Sequence, residues 1–243
     1  MHSPMIPKTI LYCWFGRGEM PEQAKQCIAS WHKYMPDWEY KLWNEDNFDV
    51  GVCAYAKEAY EARKFAFVSD YVRLWALERE GGLYLDTDVE VFKSFGDLLG
   101  YKAFVGFEGS KHLPAGTCVM ASEPHGEWVS EQLEAYRDRR FLTPEGTFDM
   151  TTNVQFITAN MVGQGFVQNG VEQDYKDLHV FPVAYFSPRH TTGEYLCNGN
   201  TYCDHLGMGT WDEKDHGWKA KVARLVGQKN AVRLIKLKRH LFG

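Results

Sequence analysis

Asp86 and Asp88 stand at the end of the apolar run Leu83-Tyr84-Leu85, inside the segment LYLDTDVEVF (residues 83–92). In an extended strand, alternate side chains share a face at about 3.3 Å per residue, so both carboxylates would point the same way about 6 to 7 Å apart. Two carboxylates at the end of an apolar strand, where a parallel sheet opens its ligand crevice, suit a hard divalent ion such as Mg2+ or Mn2+ that keeps positions open for phosphate oxygens. Asp-x-Asp pairs are also common on solvated strand ends. The pair gains weight from the stretch before it. At 100° per residue Val68, Tyr71, Val72, Trp75 and Ala76 form one apolar stripe, while Asp70 and Arg73 lie together on the opposite side beside Leu77. A helix apolar on both sides is expected to be buried, and a buried charge must be paired or bind something polar. Asp70 and Arg73 are therefore either a structural ion pair or a ligand site, in which Arg forks to carboxylate or phosphate and Asp accepts from hydroxyls. Trp14 ends the first predicted strand, where its flat face could stack on a nucleobase or simply fill the core.

The elements that must carry these residues alternate. ILYCWFG (10–16) reads as a buried strand, residues 21–34 as a helix with Pro21 at its first position, and WEYKLWN (38–44) as a second strand. A long helix is expected over 54–80, stopped by Gly81-Gly82, and then one continuous strand over 83–92. Further strands are expected at 103–107, 117–121 and 179–186, and helices at 126–140 and 152–162. Residues 187–217, rich in Gly, Asn, Thr and His, read as loops. Strand, helix, strand in about forty residues predicts an α/β fold with a parallel sheet.

The chain has 243 residues, 44% of them apolar and 24% charged, which suits one globular domain and excludes a disordered chain. The opening MHSPMIPKTI has no secretory pattern, so the expected location is the cytosol. Six cysteines without a CxxC pair read as ordinary buried residues, with neither a disulfide framework nor a zinc ribbon. From Trp218 to the end there are eight Lys or Arg and no acid, leaving 19 basic against 32 acidic residues upstream. The acidic body argues against nucleic acid as a partner. The basic tail has apolar residues at roughly helical spacing, which fits either a helix docked on the core or one lying on anionic lipid. The expected division is therefore 1–217 for the main domain and 218–243 for a basic amphipathic tail.

The segment AFVSDYVRLWALEREGGLYLDTDVEVF (66–92) resembles the signature of the DXD sugar transferases. That family includes yeast-type Golgi mannosyltransferases, bacterial capsular and lipopolysaccharide glycosyltransferases and clostridial glucosylating toxins. IPKTILYCWFG, CIASWHKYMPDWEYKLWNEDNFD, TTNV (151–154) and NTYCDHLGMGTW (200–211) are similar to the bacterial capsular members, so the likeness spans roughly residues 6–211. The resemblance implies a GT-A fold, a Rossmann-like mixed and mostly parallel sheet flanked by helices. It further implies a nucleotide-sugar donor, a divalent metal and transfer with retention of configuration. On that basis Trp14 would stack on the donor base, and Asp70 and Arg73 would hold the ribose and the transferring sugar. Asp86 and Asp88 would engage Mn2+ or Mg2+ and the diphosphate, Asn153 would lie near the sugar, His205 would be a third metal ligand, and Trp211 would contact the diphosphate. Relatives more often carry a His pair and Ser-Trp where this chain has Asp204-His205 and Thr210-Trp211.

UDP-glucose or UDP-galactose is the favoured donor and GDP-mannose the runner-up. The expected acceptor is a glycan or lipid-linked surface polysaccharide, reached on the cytoplasmic face of the membrane through the basic tail. Two other readings compete. A haloacid-dehalogenase-type phosphatase wants Thr or Val two residues past its second Asp, where this chain has Glu90. A carbohydrate-binding module would explain the aromatics without needing paired carboxylates.

Overall fold

The computed structural model describes residues 5–109, 113–114, 118–189 and 195–207. In chain order the elements are β1 (Thr9–Cys13), α1 (Glu22–Tyr34), β2 (Glu39–Trp43), α2 (Ala54–Glu61), α3 (Phe65–Glu80), β3 (Gly82–Leu85), β4 (Val89–Val91), β5 (Ala103–Glu108) and β6 (Leu113–Pro114). There follow β7 (Val119–Ser122), α4 (Glu127–Glu134), α5 (Asn153–Gly163), β8 (Gln173–Tyr175), β9 (Leu178–Phe181), α6 (Val183–Phe186) and β10 (Cys203–His205). Trp211 and the 218–243 tail lie outside the described residues. No helix among the described residues is long and apolar enough to cross a membrane.

The main sheet runs β2-β1-β3-β7-β5-β9-β8, with β6 paired to β5. β1 is parallel to β2 and β3, β5 is parallel to β9, and β7 is inserted antiparallel between β3 and β5. This is the mixed, mostly parallel α/β sheet that the sequence predicts. Because β1 has β2 on one side and β3 on the other, the chain reverses its direction of progress there, and a crevice opens beyond the carboxyl ends of β1 and β3. Trp14 and Asp86 follow those two ends directly.

Alternating side chains feed two apolar layers. Leu11, Tyr84, Val105 and Phe107 face the layer built with α2 to α5, while Ile10, Leu83, Leu85 and Phe104 face the one containing Trp31 of α1 and Phe186 of α6. Each fully buried side chain of this kind contributes about 1.5–3 kcal/mol. α3 is buried nearly all round, including Asp70 and Arg73.

Several boundaries differ from expectation. The 54–80 helix is two helices, broken where Arg63 adopts a φ of 58°. Pro21 is the N-cap of α1, one place earlier than expected, with extended geometry. The 83–92 strand is also two pieces: the backbone turns at Asp86, where Val89 N–H donates to the Asp86 carbonyl at 3.0 Å, and β4 leaves the main sheet to pair with β10. The 179–186 strand ends at Pro182, which caps α6 because proline has no N–H to give a ladder. α4 is shorter than the 126–140 prediction, and β10 lies inside the stretch read as loops. All six cysteines are free, and five are buried.

Gly82 opens β3 with a φ of 121°, and a Cβ there would sit 2.7 Å from the Thr9 carbonyl oxygen. Gly82→Ala is expected to cost about 2–3 kcal/mol through strain and overpacking. Urea denaturation checks this, and a cost below about 0.5 kcal/mol, the range of an ordinary surface change, would contradict it.

Candidate active site

Asp86 leaves the last residue of β3 into a turn, Asp86-Thr87-Asp88-Val89, that is fixed on both sides by backbone bonds. Asp86 N–H donates to the Cys118 carbonyl at 3.1 Å, and Leu206 N–H donates to the Asp88 carbonyl at 3.0 Å. β4 is anchored on α1, since the Trp31 indole donates to the Val89 carbonyl at 2.7 Å and Val91 N–H donates to Ser30 Oγ at 2.9 Å. The turn replaces the same-face spacing expected of a strand. It brings one ligand atom each from Asp86, Asp88 and His205 within 4.8 Å of one another.

His205 arrives from a different part of the chain, in register with Val89 across the β4–β10 pair. Its Nε2 is 3.4 Å from Asp88 Oδ1 and its Nδ1 is 2.8 Å from Glu108 Oε1. On the other side, Arg73 reaches up from α3. One terminal nitrogen is 3.1 Å from Asp70 Oδ1 and the other 3.2 Å from Asp86 Oδ1. Its guanidinium lies over the Tyr84 ring at 4.6 Å, and the Tyr84 hydroxyl donates to Asp86 at 3.0 Å. The open alternatives for Asp70 and Arg73 therefore meet: they are an ion pair, and the pair abuts the acidic turn.

Asn153 is fully buried as the first residue of α5, behind a Thr152–Gln155 capping box. Its Oδ1 accepts from the Tyr136 hydroxyl at 3.1 Å, its Nδ2 donates to the Asp70 carbonyl at 3.5 Å, and its backbone N–H supports the Asp70 carboxylate. Asn153 thus joins the site through Asp70. Trp14, half-buried beyond β1, donates from its indole to the Gly18 carbonyl at 2.6 Å. Sequence reasoning missed Glu108. Its signal is the same as that of Asp86: an acid closing an apolar strand at the carboxyl edge of the sheet.

Four carboxylates, from Asp70, Asp86, Asp88 and Glu108, converge here around one guanidinium and one imidazole. Burial pushes Asp70 up to about 6 against the pull of Arg73, and it raises Asp86 in the same way. Burial alone would lower His205, but Glu108 and Asp88 outweigh it and hold the imidazole well above its ordinary value. The His205 shift marks the negative charge of Glu108 and Asp88 around it, which a divalent cation would neutralise as a proton does. The donor set of two carboxylates and an imidazole, partly open to solvent, fits Mn2+ or Mg2+.

The chain is similar to known proteins over part of its length. The chain is 35% identical over 82 residues to glucan organizing enzyme 1 of Cryptococcus neoformans, covering 30% of this chain and 22% of that protein. It is 31% identical over 111 residues to inositol phosphoceramide mannosyltransferase 3 of Schizosaccharomyces pombe, covering 42% and 30%. The matched part is thus under a third of the length of either relative. Among solved structures, the PaToxG glycosyltransferase superposes with a TM-score of 0.47 at 17% identity, covering 66% of this chain and 69% of that one. The family described as "glycosyltransferase sugar-binding region containing DXD motif" matches residues 21–105. That stretch carries Asp70, Arg73, Asp86 and Asp88 in the arrangement above, and over it the chain is similar to the sugar-binding region of that family.

Proposed function

We propose that the protein is a retaining, metal-dependent glycosyltransferase that moves a hexose from a nucleotide sugar to a surface-polysaccharide acceptor. The observation that carries this reading is the meeting of Asp86, Asp88 and His205 within 4.8 Å beside the Arg73 guanidinium. A divalent cation held by Asp86, Asp88 and His205 would supply charge neutralisation to the departing nucleoside diphosphate. The chain's own groups do the positioning. Trp14 stacks on the base, Asp70 and Arg73 hold ribose and sugar hydroxyls, and Asn153 keeps Asp70 in place beside the sugar.

Asp70 and Glu108, the carboxylates next to the acidic turn, are engaged by Arg73 and His205 respectively. Neither is placed as a nucleophile, which favours attack by the acceptor hydroxyl on the face the diphosphate leaves, with the acceptor proton passing to a diphosphate oxygen. UDP-glucose or UDP-galactose is the first choice of donor. GDP-mannose is the second reading, favoured by the mannosyltransferase name of one relative. The basic 218–243 tail would hold the enzyme against the cytoplasmic membrane face, where a lipid-linked glycan waits.

A screen of UDP- and GDP-sugars for hydrolysis, with and without EDTA, tests this function. One donor should turn over with Mn2+ or Mg2+ and stop on chelation, whereas undiminished turnover after complete chelation rejects the metal role. Trp14→Ala is expected to raise the donor KM roughly tenfold, as loss of one base-stacking platform costs about 1–3 kcal/mol. An unchanged KM would remove Trp14 from the site.

A further inference from the structure

Glu108 has no part in the proposed reaction, yet it is fixed on the main sheet while its partner His205 sits on the separate β4–β10 pair. β5 pairs with β7 through Val105 and with β9 through Gly106, and its end, Phe107 and Glu108, pairs with β6. The Glu108 Oε1 to His205 Nδ1 distance of 2.8 Å is that of a hydrogen bond. The other ring nitrogen, Nε2, is turned to Asp88 at 3.4 Å.

From this geometry we infer that Glu108 is a positioning residue that acts on the cation through His205. A neutral imidazole binds a metal through one nitrogen only when its proton sits on the other. The Glu108 carboxylate keeps that proton on Nδ1, directs the Nε2 lone pair to the space shared with Asp86 and Asp88, and ties the small β4–β10 sheet to the main one. Carboxylate partners of this kind orient metal-bound histidines and raise their basicity. The assignment rests on the metal reading of Asp86, Asp88 and His205 proposed above.

The test is Mn2+ affinity by electron paramagnetic resonance in wild type, Glu108→Ala, Glu108→Gln, His205→Ala and the Glu108→Ala/His205→Ala double variant. Glu108→Ala should weaken Mn2+ about 10- to 100-fold. Glu108→Gln, which keeps an acceptor for Nδ1–H and preserves shape, should recover part of that loss. In the His205→Ala background, Glu108→Ala should change the affinity less than about twofold, because the residue through which it acts is gone. Nitrogen-15 NMR of the Mg2+-loaded wild type should show the proton on Nδ1 of His205.

An unaffected Glu108→Ala overturns the assignment, as does an equal loss in the His205→Ala background or a proton on Nε2 in the loaded wild type. A wild type that takes up no Mn2+ overturns the metal reading and this assignment with it. Wild-type uptake with an unaltered Glu108→Ala overturns this assignment alone.

Discussion

Asp88→Asn is expected to lower turnover of the nucleotide sugar about 10³-fold while leaving the fold intact. The size follows from what the side chain supplies. Asn keeps the shape and one acceptor oxygen but removes a full negative charge from a donor set of three, and losing one preorganised electrostatic contact to a transition state costs about 10²–10³ in rate. Weakened cation uptake adds to that loss. The fold should survive because the turn is held by backbone groups, Val89 N–H to the Asp86 carbonyl and Leu206 N–H to the Asp88 carbonyl, none of which needs the carboxylate. Circular dichroism and the urea midpoint should match wild type. Activity reduced by less than about fivefold, far below the cost of a lost electrostatic contact, would contradict the role given to Asp88.

Arg73→Met tests the other half of the site and should chiefly affect stability. Arg73 is 4% exposed and is the guanidinium between Asp70 and Asp86. Removing one partner of a buried ion pair costs about 3–5 kcal/mol, because the charge left behind has lost both water and partner. The cost should depend on pH in a definite direction. Burial already pushes Asp70 up to about 6 in the folded protein, and Arg73 opposes the shift. Without Arg73 the folded-state carboxyl titrates higher still, above its unfolded value of about 4, so protonation favours the fold. The deficit of Arg73→Met is therefore largest at alkaline pH, where Asp70 is ionised in both folded proteins, shrinks as the pH falls through the variant's raised Asp70 value to the wild-type value of about 6, and levels off below that. Urea denaturation across that range measures it. A deficit below about 1 kcal/mol that does not vary with pH would mean that the ion pair contributes little to the fold.

The parts of the site that sequence made legible are those where one residue type has few alternatives. Asp70 and Arg73 on a helix apolar on both faces could only be paired or ligating, and they are paired to each other and to the acidic turn. Asp86 and Asp88 stand out as charges ending an apolar strand. The turn between them was hidden because Leu83, Leu85, Val89 and Val91 keep a period of two straight through it. What breaks the strand is tertiary: β4 is drawn away by Trp31 and Ser30 of α1 and finds its partner in β10, more than a hundred residues on.

The break between α2 and α3 was equally silent. Glu61, Ala62, Arg63 and Lys64 are all good helix formers, yet Arg63 is left-handed and the end of α2 is closed by Arg63 N–H to the Tyr60 carbonyl at 2.9 Å and Lys64 N–H to the Ala59 carbonyl at 2.8 Å. Pro182, by contrast, was a local signal that a strand could not continue, and the apolar run around it concealed that signal. Glu108 needed the sheet order before it could be placed, since only the β3-β7-β5 arrangement brings the end of β5 to His205.

The most direct measurement of the central claim is calorimetric titration of UDP and GDP into the protein with Mn2+ and with EDTA. One nucleoside diphosphate should bind only when Mn2+ is present, and Asp88→Asn should abolish the heat. Binding of equal strength in EDTA, or no binding of either nucleotide in the presence of Mn2+, would contradict the claim.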